Sequence, residues 1–448
     1  MLSPDAARDH AAALVEQARR SGADGADAVY VGERSNGVTI RLGELEDVHR
    51  SEGEEIGLRL FVGDKSASVA SSDLSQDALS ALVERGLAMA REAPEDPYAG
   101  LAPDELLLRD EPLDLDLDDG GDPPAASLRA IAAEAESAAR GVSGVTNSNG
   151  GSASASASTL AIATSNGFAA AKRASGYSCS ASVVAGSGAG MQRDYGWHSA
   201  RYLDDLEPAA EIGLRAGHRA VARLDPVRVA PGAMPVLFDA RVATSLLGHL
   251  VGAINGAAIA RKASFLIEAM GTRIFAPGVT ISDDPLRPRG LRSRAFDGEG
   301  LATSPRDLVA DGVLMSWLAH SAAARQLGIS PTGHAVRGVS GAPSAGPSNL
   351  YLGPGARSRE AMIAGIKRGI LVTELIGHGV NGVTGDYSRG AAGFLIENGE
   401  IGRPVAEITL ASNLKDMFAT LEPADDLRFR RGIDSPTVLV PEMMVASS

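Results

Sequence analysis

Apolar and polar positions change period several times along the chain, and each change marks an element. An opening helix starts behind Ser3 with Pro4 in its first turn. Residues 26–71, ADAVYVGERSNGVTIRLGELEDVHRSEGEEIGLRLFVGDKSASVAS, then alternate apolar and polar residues, which predicts an antiparallel meander with turns at Ser35-Asn36-Gly37 and Gly63-Asp64-Lys65. From Asp73 to Ala93 the period becomes helical, with Leu79, Leu82, Val83, Leu87 and Ala90 on one stripe.

A second unit repeats the scheme. ASLRAIAAEAESAARG and EPAAEIGLRAGHRAVARL read as bounding helices, and between them small polar and apolar residues alternate around Ser165-Asn166-Gly167, a hairpin signal. Cys179 lies inside one of these light strands and reads as a small packing residue. The third unit is rich in Gly and Pro, with hairpin turns expected at Ala310-Asp311-Gly312 and Glu397-Asn398-Gly399-Glu400. Its two clearest helices are about 241–259 and 319–327. The pattern predicts an α+β chain: N-terminal α/β units with antiparallel meanders flanked by helices, then a C-terminal, mostly antiparallel β domain with few helices. We divide it into residues 1–105, an acidic linker at 106–124, a middle unit at 125–227 and the β-rich domain at 228–448.

The linker contains DEPLDLDLDDGGDPP, residues 110–124, with seven carboxylates. A calcium loop counted from Asp114 would need Gly at its sixth position and Glu at its twelfth, where Asp119 and Ala125 stand, so a solvated connection is expected. Length and composition fit two or three packed units of a globular protein, 448 residues at 44% hydrophobic. No apolar span is long enough for a membrane helix, and the charged N-terminus has no secretory core, so a cytoplasmic location is expected. A single cysteine excludes an internal disulfide and a multi-cysteine metal cage. The net charge of −14, with Lys and Arg dispersed, argues against a nucleic-acid partner and favours a peptide or protein one.

Familiar catalytic loops are missing. GSGAG at 186–190 is followed by Met191 rather than the third Gly of a dinucleotide loop, and no Gly-Lys pair supplies a phosphate-binding lysine. No GxSxG elbow occurs, and Ser388 in Asp386-Tyr387-Ser388-Arg389-Gly390 sits in what reads as a polar hairpin end. In SLLGHLVGAING, residues 245–256, Leu246, Leu247, Leu250, Val251, Ile254 and Ala258 continue one apolar stripe, while Gly248, Gly252 and Gly256 recur every fourth position. Such glycines predict a close approach by another backbone. His249 stands alone on this helix, with Ser at 245 and Gly, Ala and Ile at 252–254, whereas a helical zinc site needs a second histidine on an adjoining turn.

The meander, the SLLGHLVGAINGAAIARKASFL helix, GHGVNGVTGDYSRGAAGFLIENGEI and the terminal DSPTVLVPEMMV together resemble the TldD/PmbA family of peptidase-related proteins, and its PmbA (TldE) branch in particular. The resemblance covers nearly the whole chain. It implies a zinc helix, His-Glu-x-x-x-His, in the catalytic TldD branch, with a later cysteine as third ligand. Carried over by position, the first His falls at Gly248, the Glu at His249 and the second His at Ala253. The stretch EPADDLRFRRGID, where the cysteine would lie, has none.

The resemblance therefore implies a non-catalytic subunit of a heteromeric zinc peptidase acting on unfolded peptides and proteins. Zinc would reside in a TldD-type partner and no cofactor in this chain. On this reading the substrate shares a cleft with the partner and can add as a strand to a sheet edge, which suits the strand-rich third unit. His249, Asp386, Ser388 and Arg389 are the cleft candidates, each with an equally ordinary reading as a capping or core polar group. Two alternatives stand beside it: a homo-oligomeric peptide-binding or modulator protein, including a homodimer when alone, and a metallopeptidase whose ligands are scattered along the chain.

Overall fold

A computed structural model describes residues 1–447. Helix α1 (Pro4–Arg20) is capped by Ser3, whose side chain accepts from the Ala6 N–H, as the Ser-Pro start predicts. Strands β1 (Gly25–Arg41), β2 (Glu44–Val62) and β3 (Lys65–Ser71) form the meander, and α2 (Gln76–Glu92) buries the predicted Leu79, Leu82, Val83, Leu87 and Ala90. One turn moves. Ser35-Asn36-Gly37 lies within β1, paired on both sides, and the chain reverses at Leu42 and Gly43, both with positive φ. The alternation continues through Val38 and Ile40, both buried, so the ladder overrides the local Asn-Gly turn preference.

Helix α3 (Ala125–Arg140), strands β4 (Val145–Thr164), β5 (Ala169–Ala185) and β6 (Gln192–Ala200), and helix α4 (Ala209–Ala222) make up the middle unit. Its strands join the first meander in one six-stranded sheet, ordered β3-β2-β1-β4-β5-β6, through a long β1–β4 ladder. Alternating Ser and Ala let the helices sit close. A Cβ at Gly196 would lie 2.3 Å from the Ile212 carbonyl oxygen, and one at Gly213 would lie 2.0 Å from that of Ala135. Cys179 is fully buried in this layer.

The acidic linker is not simply solvated. Leu115 and Leu117 are buried against Ala174. Asp118 pairs with Arg173 at 2.7 Å, Asp116 with Arg289 at 2.6 Å, and Asp119 accepts from the Tyr177 hydroxyl at 2.6 Å. Leucines alternating with aspartates let one face of an irregular strap enter the core while the other finds cations.

In the third unit, β7 (Gly232–Phe238) leads into α5 (Ala240–Ala253) and α6 (Gly256–Ala260). There follow β8 (Ile281–Asp283), β9 (Arg306–Ala310), β10 (Val313–Leu314), α7 (Ser321–Leu327), β11 (Ala335–Val336), β12 (Ser344–Ala345) and β13 (Leu350–Leu352). The chain ends with α8 (Arg359–Ala364), β14 (Arg368–Ile376), β15 (Asp386–Glu397), β16 (Glu400–Asn413), α9 (Leu414–Thr420), β17 (Glu422–Pro423), β18 (Ile433–Asp434) and β19 (Val438–Ser447). Both expected hairpins form, turning at Asp311-Gly312 and Asn398-Gly399 with positive φ. The main sheet runs β16-β15-β14-β7-β19-β17, and β16 also pairs with β19, closing five strands into a ring. Only β7 and β14 run parallel in it. Helix α5 buries Leu246, Leu247 and Leu250 in the core of this unit, each contributing roughly 2 kcal/mol of apolar burial.

The expected helix over 241–259 is broken. At residue 255 the chain pairs with Leu318: Leu318 N–H donates to Ile254 O at 3.0 Å and Gly256 N–H to Leu318 O at 2.8 Å. Asn255 then caps α6, accepting from Ala257 N–H at 3.0 Å. The glycine stripe divides accordingly. A Cβ at Gly256 would meet Leu318 O and Ala319 Cβ at 3.1 Å, but nothing lies within 4 Å of one at Gly248 or Gly252. The close backbone approach expected along the stripe occurs only at its last member.

Candidate functional site: an arginine-lined cleft beside helix α5

Asp239 starts α5, its carboxylate accepting the Arg241 N–H at 3.1 Å. Ser245 and His249, one turn apart, then share a flank of the helix. Across from them on β15, Tyr387 and Arg389 share a face by the two-residue strand period. The His249 ring meets Tyr387 edge-on, centroids 5.9 Å apart. His249 Nε2, the Tyr387 hydroxyl, Arg389 Nε and Ser245 Oγ are all buried without a hydrogen-bond partner, as is Thr373 Oγ1 on β14.

Burial lowers the His249 pKa and the Arg389 charge lowers it further, so both disfavour the protonated ring. Burial pushes the Tyr387 phenol up to about 12.

Of the four candidates, the structure brings His249 and Arg389 together around Tyr387, which sequence reading passed over although it alternates with Arg389. It does not bring Asp386 and Ser388 to them. Asp386 is exposed and braces the preceding loop, accepting from Thr384 Oγ1 at 2.6 Å and Asn413 Nδ2 at 3.2 Å. Ser388 is exposed on the opposite face of β15, and its N–H donates to Gly379 O at 2.6 Å.

The positions matched to the zinc helix bring a single metal-binding side chain. Gly248 is open, Ala253 is buried, and His249 supplies a single imidazole. Among the described residues no group of three or more His, Cys, Asp or Glu converges as a metal would require. The segment where the resemblance places the third ligand contributes arginines instead. Asp434 accepts the N–H groups of Arg430 and Arg431 at 3.0 Å, and Asp426 holds Thr437 through its N–H and hydroxyl at 2.8 and 2.7 Å. Arg431 is thereby carried to α5, where it donates to Arg241 O at 3.2 Å and lies 4.8 Å over the Trp197 ring.

A cavity of about 460 Å³ opens here between β6, α5 and β15, and Arg193, Arg223, Arg241, Arg292, Arg389 and Arg431 line it. Asp194 and Glu374 are its two carboxylates, leaving a formal excess of four positive charges in a chain whose net charge is −14. Asp194 takes a bidentate pair from Arg241 at 2.7 and 3.0 Å and a third bond from Arg223 at 3.4 Å. Burial opposes the Asp194 charge, yet these guanidiniums outweigh it and hold the carboxyl below its ordinary range. Glu374 pairs with Arg223.

Both carboxylates are thus spent on Arg223 and Arg241. Among the described residues no carboxylate ion-pairs with Arg193, Arg292, Arg389 or Arg431. Arg292 is held in place, its stem packed so close over Gly432 that a Cβ there would lie 2.4 Å from it.

Two sheet edges lie beside this cavity, β6 of the N-terminal sheet and the short β18 of the third unit's β10-β9-β8-β13-β18 sheet, whereas the ring of that unit closes on itself. At Tyr195 the β6 edge is already capped. The Asp194 carboxylate accepts the Tyr195 N–H at 2.7 Å, and Arg219 donates to its carbonyl at 3.3 Å.

Family models described as PmbA/TldA metallopeptidase domain 1, central domain and C-terminal domain match residues 26–90, 118–224 and 231–447. The chain is 38% identical to the metalloprotease PmbA of Escherichia coli O157:H7, over 94% of this chain and 92% of that one. It is 34% identical to the metalloprotease PmbA homolog of Haemophilus influenzae, over 97% and 94%. A solved structure of a proposed modulator of DNA gyrase from Bacteroides thetaiotaomicron superposes with a TM-score of 0.91 at 25% identity, covering all of both chains. TldE from Thermococcus kodakarensis shares the fold, with a TM-score of 0.83 at 20% identity over 97% and 99% of the two chains.

Proposed function

The chain belongs to the PmbA/TldD metallopeptidase family, and on that premise we propose that it is the non-catalytic, substrate-holding subunit of a heteromeric zinc peptidase. The catalytic subunit would be of TldD type and would carry the zinc, and the substrates would be unfolded peptides and proteins. The supporting observation is the donor set on α5. A hydrolytic zinc needs three protein ligands, an open position and a carboxylate to take the proton from the bound water. Gly248, His249 and Ala253 offer one imidazole and no carboxylate, and the stretch after Glu422 brings Arg430 and Arg431 where the third ligand is sought.

What this chain's own residues do is hold and orient. His249 packs on Tyr387 with its protonated form disfavoured, Arg389 stands beside it, and the flank of α5 at Gly248 and Gly252 is left open.

The test is cleavage of an unstructured fluorogenic peptide by the pure chain, by a TldD-type subunit, and by the two mixed with zinc. Cleavage that needs the mixture and is abolished by a chelator supports the reading. Cleavage by the pure chain alone refutes it.

A further inference from the structure

We propose that the cavity between β6, α5 and β15 is a carboxylate-binding subsite, taking the acidic side chains or the free C-terminus of a peptide. The proposal rests on the substrate-holding reading and specifies which substrates that subunit favours.

Three observations carry it. The first is charge that the fold leaves unused. Asp194 and Glu374 neutralise Arg223 and Arg241, while Arg193, Arg292, Arg389 and Arg431 converge on the same space without an ion-pair partner among the described residues. Like charges gathered in one cavity repel one another, so an arrangement of this kind calls for an anion.

The second is hydrogen-bonding capacity left open beside that charge. Ser245 Oγ, Thr373 Oγ1 and Arg389 Nε are buried without partners and belong to residues lining the cavity. Buried polar groups are ordinarily paired, and donors of this kind can complete the lone pairs of a carboxylate held by guanidinium forks.

The third is size and strand chemistry. About 460 Å³ admits a few side chains rather than a protein surface. At Tyr195 the β6 backbone already spends its N–H on Asp194 and its carbonyl on Arg219, so beside the cavity side-chain or terminal charge is the readier means of holding a peptide.

The experiment is fluorescence anisotropy on the full chain with a labelled Gly/Ser peptide ending in three glutamates. Three companions are measured: the peptide with glutamines in their place, its C-terminally amidated form, and the glutamine peptide amidated. The proposal predicts that the acidic peptides bind at least roughly ten-fold more tightly than the glutamine amide, the scale of one or two charge-assisted hydrogen bonds. The other two members show whether side chains or terminus dominate.

Arg292→Gln and Arg193→Gln alter exposed side chains and should each cost several-fold in affinity for the acidic peptide only. Raised salt should weaken the same complex. Equal affinity for all four peptides, or acidic binding untouched by both substitutions, would overturn the proposal. So would tighter binding of inorganic phosphate than of the glutamate peptide. Binding is read without a partner subunit, so loss of the subsite and failure of the peptidase reading are separable: glutamine amide peptides still cleaved by the mixture would leave the latter standing.

Discussion

Two clusters of arginine, one buried and one at an opening, lie at the junction between the N-terminal sheet and the third unit, and they are resolved in opposite ways. In the first, Arg59 of β2 donates to Asp27 of β1 at 2.9 Å through Nε, Arg337 ion-pairs with the other Asp27 oxygen, and Glu299 lies 3.9 Å from Arg59. All four side chains are at most 7% exposed. Glu299 also accepts from the Ser321 N–H and hydroxyl at 2.8 and 2.7 Å. Two cations meet two anions, and the cluster ties β1 and β2 to the third unit.

The second cluster is the cleft. There two carboxylates face six guanidiniums, and most of the surplus is solvent-accessible. The buried cluster balances its charge within the fold, although Arg337 keeps guanidinium nitrogens without hydrogen bonds, whereas the surplus at the opening has no counter-charge within the fold. Similar residues therefore serve cohesion in one place and recognition in the other.

The difference can be broken most violently at Asp27. Asp27→Ala leaves Arg59 and Arg337 buried without their counter-charge, and should cost about 3–5 kcal/mol in denaturant-induced unfolding. A loss below about 1 kcal/mol would mean the cluster is not the lock described. Next comes Gly57, where a Cβ would stand 1.9 Å from the Val339 carbonyl oxygen. Gly57→Ala must push the third unit off β2 and should cost on the order of 1–3 kcal/mol, visible as a lower Tm.

In the cleft the same measurement should give almost nothing. Arg292→Gln should leave the unfolding free energy within about 0.5 kcal/mol of the unchanged chain, while its effect appears in acidic-peptide binding.

The smallest effect is on His249. Its pKa is depressed by burial and by Arg389, so the neutral ring favours the fold at and above the ordinary value of 6.5. That contribution fades as the pH falls and the unfolded chain takes up the proton first. Arg389→Gln should move the His249 titration, followed by NMR, upward by a fraction of a unit, and no movement would separate the two residues electrostatically.

Much of the fold was legible in the residue pattern, and for physical reasons. Ser3-Pro4, the Leu79 to Ala90 stripe, the Ser-Ala strands around Gly167 and the hairpin turns at Asp311-Gly312 and Asn398-Gly399 all appear where local chemistry puts them. What failed depended on distant partners. Asn36-Gly37 has a turn's chemistry but is held flat between β2 and β4, and α5 breaks because Leu318 supplies strand-like bonds at residue 255. The linker's Leu115 and Leu117 are interior because β5 presents Ala174, and the third unit Leu286 and Ala295, to them.

At the site, His249 and Arg389 were identified individually but their joining through Tyr387 was not. The arginine cleft was invisible because its six cations come from positions 193 to 431, dispersed in a sequence whose net charge points the other way. The Arg430-Arg431 pair, in the stretch where the resemblance places a metal ligand, is the nearest signal.

The central claim, that this chain has exchanged a metal centre for a cleft that holds substrate, is tested most directly by metal content. The isolated chain, loaded with excess zinc and dialysed, should retain none by elemental analysis, while its complex with a TldD-type subunit should retain zinc in proportion to that partner. Stoichiometric zinc kept by the isolated chain, and lost on His249→Ala, would contradict the account.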